Sequence, residues 1–158
     1  MEPRLLDIFV ESTRSVLEAL GLTPLAVGRV EIGATHRIDG DLVTRIALNG
    51  EQTVGNMLVG FERSTALAVA EALLGEPQLE LNDDVRSVVG EVTNMVCGDA
   101  KRRLSEIGVA VGMARPELLA AGAPAPTIVG DGDVAVFPCT SAGGTFYVSV
   151  DFGLIVER

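Results

Sequence analysis

Glu91 and Asn94 stand three residues apart in a stretch whose apolar residues recur at helical spacing, and Ser87 lies four residues before the glutamate. On a helix, offsets of three and four stack side chains on one face. A hydroxyl, a carboxylate and a carboxamide would therefore line up. A carboxamide carries both a donor and an acceptor and does not titrate, which suits it to holding a water molecule. A carboxylate beside it suits pairing with a cation. Gly98 and Lys101 continue the same face. Glycine inside a helix costs roughly 1 kcal/mol against alanine, so Gly90 and Gly98 on an open face make sense where another backbone must come close. An ordinary solvated face is the competing reading, and these residues alone leave both open.

Other chemistries have little to work with. His36 is the only histidine, and Cys97 and Cys139 are the only cysteines. Structural zinc takes about four nitrogen or sulfur ligands, so no metal site is expected. A Ser-His-Asp or Cys-His mechanism would have to use His36, which lies between Ile32-Gly33 and Asp39-Gly40. We read it as a surface or strand-end histidine, since a catalytic base also needs a nucleophile and an orienting partner. Both cysteines read as reduced and structural, with Cys97 beside the exposed helix face. Gly130-Asp131-Gly132 lacks the phosphate-loop pattern and opens no helix, which weakens a small-molecule cradle at Ala120–Gly132.

The charge balance narrows the partners. The net charge is −10, Lys101 is the only lysine, and five Phe and one Tyr are the only aromatics. Neither a phosphate-backbone groove nor a base-stacking platform can be built from these, so nucleic acid is not an expected partner. The opening residues Met1-Glu2-Pro3-Arg4-Leu5 are not a charged leader before an apolar run, and no apolar stretch has membrane-span length. A cytoplasmic chain without a membrane partner is the expectation.

The elements that must position the polar stripe follow from periodicity and punctuation. Pro3 to Leu20 reads as a helix closed by Gly21. Val30–Thr35, Leu42–Leu48 and Thr53–Phe61 read as three strands joined at Asp39-Gly40 and Asn49-Gly50, an antiparallel meander. A helix over Arg63–Leu74 ends at Gly75. A longer one runs from Asp83 to about Ile107, opened by Asn82 or Asp83 and closed by Gly108. Its core stripe is Val85, Val88, Val89, Val92, Met95, Val96 and Ala100, opposite the Glu91–Asn94 face. Val109–Met113, Asp133–Thr140 and Thr145–Phe152 complete the strands, with Ala120–Pro126 a loop. In the last strand Phe146, Val148, Val150 and Phe152 share one face, and Tyr147, Ser149 and Asp151 the other. The order α-β-β-β-α-α-β-β-β predicts an α+β fold, a largely antiparallel sheet flanked by helices, as one domain over residues 1–158.

The run Ser87-x-x-x-Glu91-x-x-Asn94-Met95-Val96-x-Gly98-x-Ala100-Lys101-x-x-Leu104 resembles the signature helix of the CheC/CheX/FliY chemotaxis phosphatases. The family pattern continues to a proline some twenty-two residues on; Pro116 arrives here after 21 intervening residues. Only one Glu-x-x-Asn occurs, whereas CheC-like members typically carry two, so the likeness is to the CheX branch. The resemblance implies hydrolysis of the phosphoryl-aspartate of a CheY-type response regulator. Asn94 would orient water, and Glu91 would pair with the regulator's active-site lysine. Ser87, Gly98, Lys101 and Pro116 would contact the partner. No cofactor is implied in this chain, because the regulator brings Mg²⁺. A homodimer joined at sheet edges is also implied, with the long last strand as the candidate edge. A non-catalytic adaptor that docks on a response regulator through the same helix is the alternative.

Overall fold

The computed structural model describes residues 2–51, 53–119 and 127–154. Proline near the start and helix-period apolar residues give α1 (Pro3–Ala19), which buries Leu5, Phe9, Val16 and Leu17. Then come β1 (Ala26–Val27), β2 (Glu31–Arg37), β3 (Leu42–Ala47), β4 (Thr53–Phe61), α2 (Arg63–Leu74) and α3 (Asp83–Glu106). The chain closes with β5 (Glu117–Leu118), β6 (Thr127–Ser141) and β7 (Gly144–Leu154). This is the expected α+β class with an antiparallel sheet, in the order β1-β6-β7-β4-β3-β5, and β2 lies along the same edge of β6 as β1.

The predicted meander is half right. Asn49-Gly50 does join β3 to β4 as a hairpin, with the Gly50 N–H donating to the Thr53 carbonyl at 2.9 Å. Asp39-Gly40, in contrast, is a crossover. The strand before it pairs with β6 at one side of the sheet, and the strand after it lies near the other. The connection passes over β4 at such close range that a Cβ on Gly60 would sit 2.1 Å from the Asp39 carbonyl oxygen. Gly40 has φ +156° and its own Cβ would stand 2.8 Å from the Phe61 nitrogen. Two glycines meet there because two backbones do. The dipeptide signal was local, and the long edge of β6 took the strand instead.

Other boundaries shift too. The two-residue β1 was not anticipated. Val109–Met113 forms no strand; a Cβ on Gly112 would lie 2.3 Å from the Asn49 carbonyl oxygen, so this segment is pressed against the hairpin turn. The short partner of β3 is β5 instead. β6 starts at Thr127, earlier than Asp133, and its register on β2 shifts opposite Gly33–Thr35, so Gly130-Asp131-Gly132 lies inside a strand. The loop Ala120–Pro126 lies outside the described residues. β7 pairs on both sides, with β6 and β4, and is therefore not the free edge expected from the sequence.

All three helices contribute to one core with the inward faces of the strands, including Phe146, Val148, Val150 and Phe152 of β7 as predicted. Each fully buried valine or leucine contributes roughly 1.5–3 kcal/mol by leaving water. The valine stripe of α3 thus holds that helix to the sheet and dictates which face looks outward. The opposite side of the sheet carries a small cluster, Ile38, Val43 and Leu58 with Leu119 and Tyr147, beneath the crossover.

Candidate docking and catalytic face on the long helix

The Asn82 side chain caps α3 by accepting the Val85 N–H at 2.9 Å, and Asp83 and Asp84 complement the helix dipole in the first turn. Gly108, with φ +85°, follows the end. Val85, Val88, Val89, Val92, Val96, Ala100 and Leu104 are buried. Met95, assigned to the same stripe, packs only partly against the core. With that side anchored, Ser87, Glu91 and Lys101 are exposed, and Asn94 and Gly98 are half-exposed. The sequence-derived face exists as drawn.

Glu91 differs from most acidic neighbours on the helix. Asp83 pairs with Arg86 at 3.2 Å, Asp99 with Arg103 at 2.7 Å and Arg102 at 3.0 Å, and Glu106 with Arg102 at 2.8 Å. Burial would raise the Asp99 carboxyl, but hydrogen bonds from Arg103 and Arg102 hold it below the usual carboxylate range. Among the described residues, the Glu91 and Asn94 side chains have no hydrogen-bond or ion-pair partner. Their binding capacity is unspent. Gly98 leaves open space, since a Cβ there would have nothing within 4 Å.

Ser87, Glu91 and Pro116 are brought together on an open groove of about 380 Å³, completed by Arg86, Gly90 and Leu118. Asn94, Gly98 and Lys101 lie on the same helical face outside the groove's lining. Gly90 turns out to face the chain's own Pro116, whose Cβ would be 3.7 Å from an added Cβ, an ordinary contact. Close approach at that glycine is thus partly internal.

One positioning pair was missed by sequence reasoning. The Thr93 hydroxyl donates to the Val89 carbonyl at 2.8 Å and lies 2.6 Å from the Thr44 hydroxyl on β3, both fully buried. This bridge pins the helix against the sheet one residue before Asn94. A polar β-branched residue in the buried phase of a helix was the available signal.

Two expectations are corrected. His36 is neither a surface nor a strand-end residue, but fully buried within β2. Its Nδ1 lies 2.5 Å from the Ser149 Oγ, its Nε2 bonds Asp151 Oδ1, and that oxygen also accepts the Asn56 N–H at 2.9 Å. The crossover explains this, because the end of β2 leans across β6 onto β7. Cys97 does not border the open face; it is buried with its sulfur 3.2 Å from that of Met57. Both free thiols are pushed up to about 12 by burial, Cys139 despite the opposing charge of Arg14, and stay protonated at neutral pH. Among the described residues, no group of three His, Cys, Asp or Glu side chains is placed to hold a metal ion. No helix among them is long and apolar enough to cross a membrane.

Among the described residues, the long helix of this α+β fold thus presents Glu91 and Asn94 on its outward face without a side-chain partner. The sequence profile of the family Chemotaxis phosphatase CheX matches residues 42–140, and the chain belongs to that family. It is 26% identical over 121 residues to the CheY-P phosphatase CheX of Thermotoga maritima, covering 75% of this chain and 77% of that one. The crystal structure of chemotaxis protein CheX from Vibrio vulnificus is 31% identical, with a TM-score of 0.83 over 95% of this chain and 99% of that one. A CheC-like superfamily protein from Shewanella sp. PV-4 is 30% identical, with a TM-score of 0.85 over 97% of this chain and 99% of that one.

Proposed function

We propose that this chain hydrolyses the phosphoryl-aspartate of a CheY-type response regulator by laying α3 across the regulator's active site. The observation that carries this reading is the unpaired Glu91–Asn94 face on a helix whose other side is locked into the core. The family match and the Thermotoga relative, itself a CheY-P phosphatase, support the substrate class.

The division of labour follows from residue chemistry. Phosphoryl transfer passes through a loose transition state, so catalysis rests on positioning and charge compensation. The regulator contributes the phosphorylated carboxylate, its lysine and Mg²⁺. Glu91 pairs with that lysine and sets the docking register. The Asn94 carboxamide oxygen accepts a hydrogen bond from a water molecule and aims the water oxygen at phosphorus, in line with the aspartyl oxygen. The P–O bond to the aspartyl group breaks as the water–phosphorus bond forms, leaving a free carboxylate and inorganic phosphate, which keeps the released proton. Ser87, Pro116, Gly98 and Lys101 line the contact around these two residues.

The protein acts in the cytoplasm as a homodimer. With β7 interior, the edges left for a two-fold contact are those flanked by β1 with β2 and by β5, and a light-scattering mass near 16.5 kDa at micromolar concentration would count against it.

The test of the function is direct. The CheY-type regulators of the same genome are phosphorylated with a small-molecule donor, and phosphate loss is followed with and without this chain. Faster loss for at least one regulator is expected. Binding without acceleration would instead establish the adaptor.

A further inference from the structure

We infer that the groove between α3 and β5 is the selectivity site for the partner regulator, receiving a short acidic–apolar segment beside its phosphorylated carboxylate. This rests on the phosphatase reading and adds two residues, Arg86 and Leu118, that lie outside the signature run Ser87–Leu104.

The groove begins at the docking face itself, because Glu91 and Ser87 form one of its walls. Any regulator held by Glu91 therefore lays part of its surface over the groove. The far wall is apolar: Pro116, and Leu118, which is 37% exposed although leucine ordinarily favours burial. The near wall carries Arg86, whose one side-chain partner among the described residues is Asp83, 3.2 Å away on the preceding turn and fully exposed. An ion pair of that kind is held weakly in water, so the guanidinium can exchange it for a partner carboxylate. The floor at Gly90 is kept low, and an added Cβ would meet only Pro116.

Charge argues for the same occupant. A chain of net charge −10 repels the phosphoryl group of its partner at long range. A cation at the mouth of the groove offsets this locally for a partner whose segment places a carboxylate there. An apolar side chain next to it covers Leu118 and Pro116. Regulators that offer a lysine or a bulky polar group at these points meet a like charge or strand a polar atom on an apolar wall, which is discrimination by misfit.

The experiment measures kcat and KM for phospho-regulator hydrolysis with wild type, Arg86→Glu, Leu118→Ser and Gly90→Met, against each CheY-type regulator of the genome. Melting curves accompany each variant. Arg86→Glu should raise KM for the preferred regulator about tenfold with kcat retained, the size expected when an interfacial arginine is reversed. Leu118→Ser should do so more weakly. Gly90→Met fills the groove from a position that favours helix, so it should raise KM without lowering the melting temperature. The preference ratio between regulators should move in all three. Unchanged KM and unchanged preference in folded variants, with wild type active, would overturn the groove and leave the phosphatase reading intact. An inactive, non-binding wild type would overturn both.

Discussion

Two polar constellations lie on opposite sides of the sheet and look, by residue type, the wrong way round. Beneath the crossover, Ser149, His36 and Asp151 are connected in the manner of a hydrolytic triad. On α3 there is only a carboxylate and a carboxamide. Yet the three are at most 1% exposed, with both ring nitrogens of His36 occupied and Asp151 Oδ1 shared with the Asn56 N–H. Glu91 and Asn94 lie on the outward face of α3 without a side-chain partner among the described residues. The difference teaches that availability, more than residue identity, marks a site. A satisfied buried network rigidifies a fold; groups without an internal partner on a rigid helix are free to take one from outside.

The comparison is most severely tested by His36→Ala. Removing the imidazole leaves the Asp151 carboxylate buried without that partner, which costs roughly 3–5 kcal/mol. The loss should appear in denaturant unfolding, while phosphatase activity per folded molecule is retained. Loss of turnover in a fully folded variant would give the triad a functional role and break the contrast.

Thr93→Val is a smaller perturbation of the same kind, on the helix itself. It leaves the buried Thr44 hydroxyl only its longer 3.4 Å hydrogen bond to the Val59 carbonyl and should destabilise by about 1–3 kcal/mol, whereas Thr44→Val with Thr93→Val should recover part of that loss because both partners then become apolar. Additive unfolding energies in this cycle would mean that the 2.6 Å bridge contributes no coupling.

Gly98→Leu sharpens the open side. Its Cβ meets nothing, and helix propensity improves by up to about 1 kcal/mol, so the melting temperature should hold or rise slightly. Regulator binding should weaken, because a leucine there holds the partner's backbone away. A much lower melting temperature would place Gly98 in the interior.

Much of this was legible in residue order, for reasons that can be named. Helix phase is a local property, so the valine stripe, the Asn82 cap and the Glu91–Asn94 face came out correctly. Gly75 and Gly108 marked helix ends because each adopts positive φ. Strand partnership is not local. Asp39-Gly40 has the composition of a hairpin turn, but its glycine serves a crossover against Gly60, which no turn propensity encodes. The same non-local event buried His36, so its misreading and the failed meander share one cause. Cys97 was misjudged because it sits at the boundary of the buried arc, where Met57 comes down from β4 to cover it. In the groove beside α3, the juxtaposition of Ser87 and Glu91 follows from their spacing, whereas that of Arg86 and Leu118 does not. Their proximity depends on β5 pairing with β3 some thirty residues beyond the arginine.

The proposed mechanism has Asn94 act on water in the transition state, while Glu91 holds the partner in the ground state as well. It is tested most directly by comparing Asn94→Ala and Glu91→Ala for phospho-regulator hydrolysis and for binding to the beryllofluoride-activated regulator. Both variants should keep stability within about 0.5 kcal/mol of wild type, since neither side chain supports the core. Asn94→Ala should abolish the acceleration and leave binding largely intact, because only interactions gained in the transition state raise the rate. Glu91→Ala should weaken both. A wild-type hydrolysis rate in Asn94→Ala would overturn the catalytic role proposed for that carboxamide.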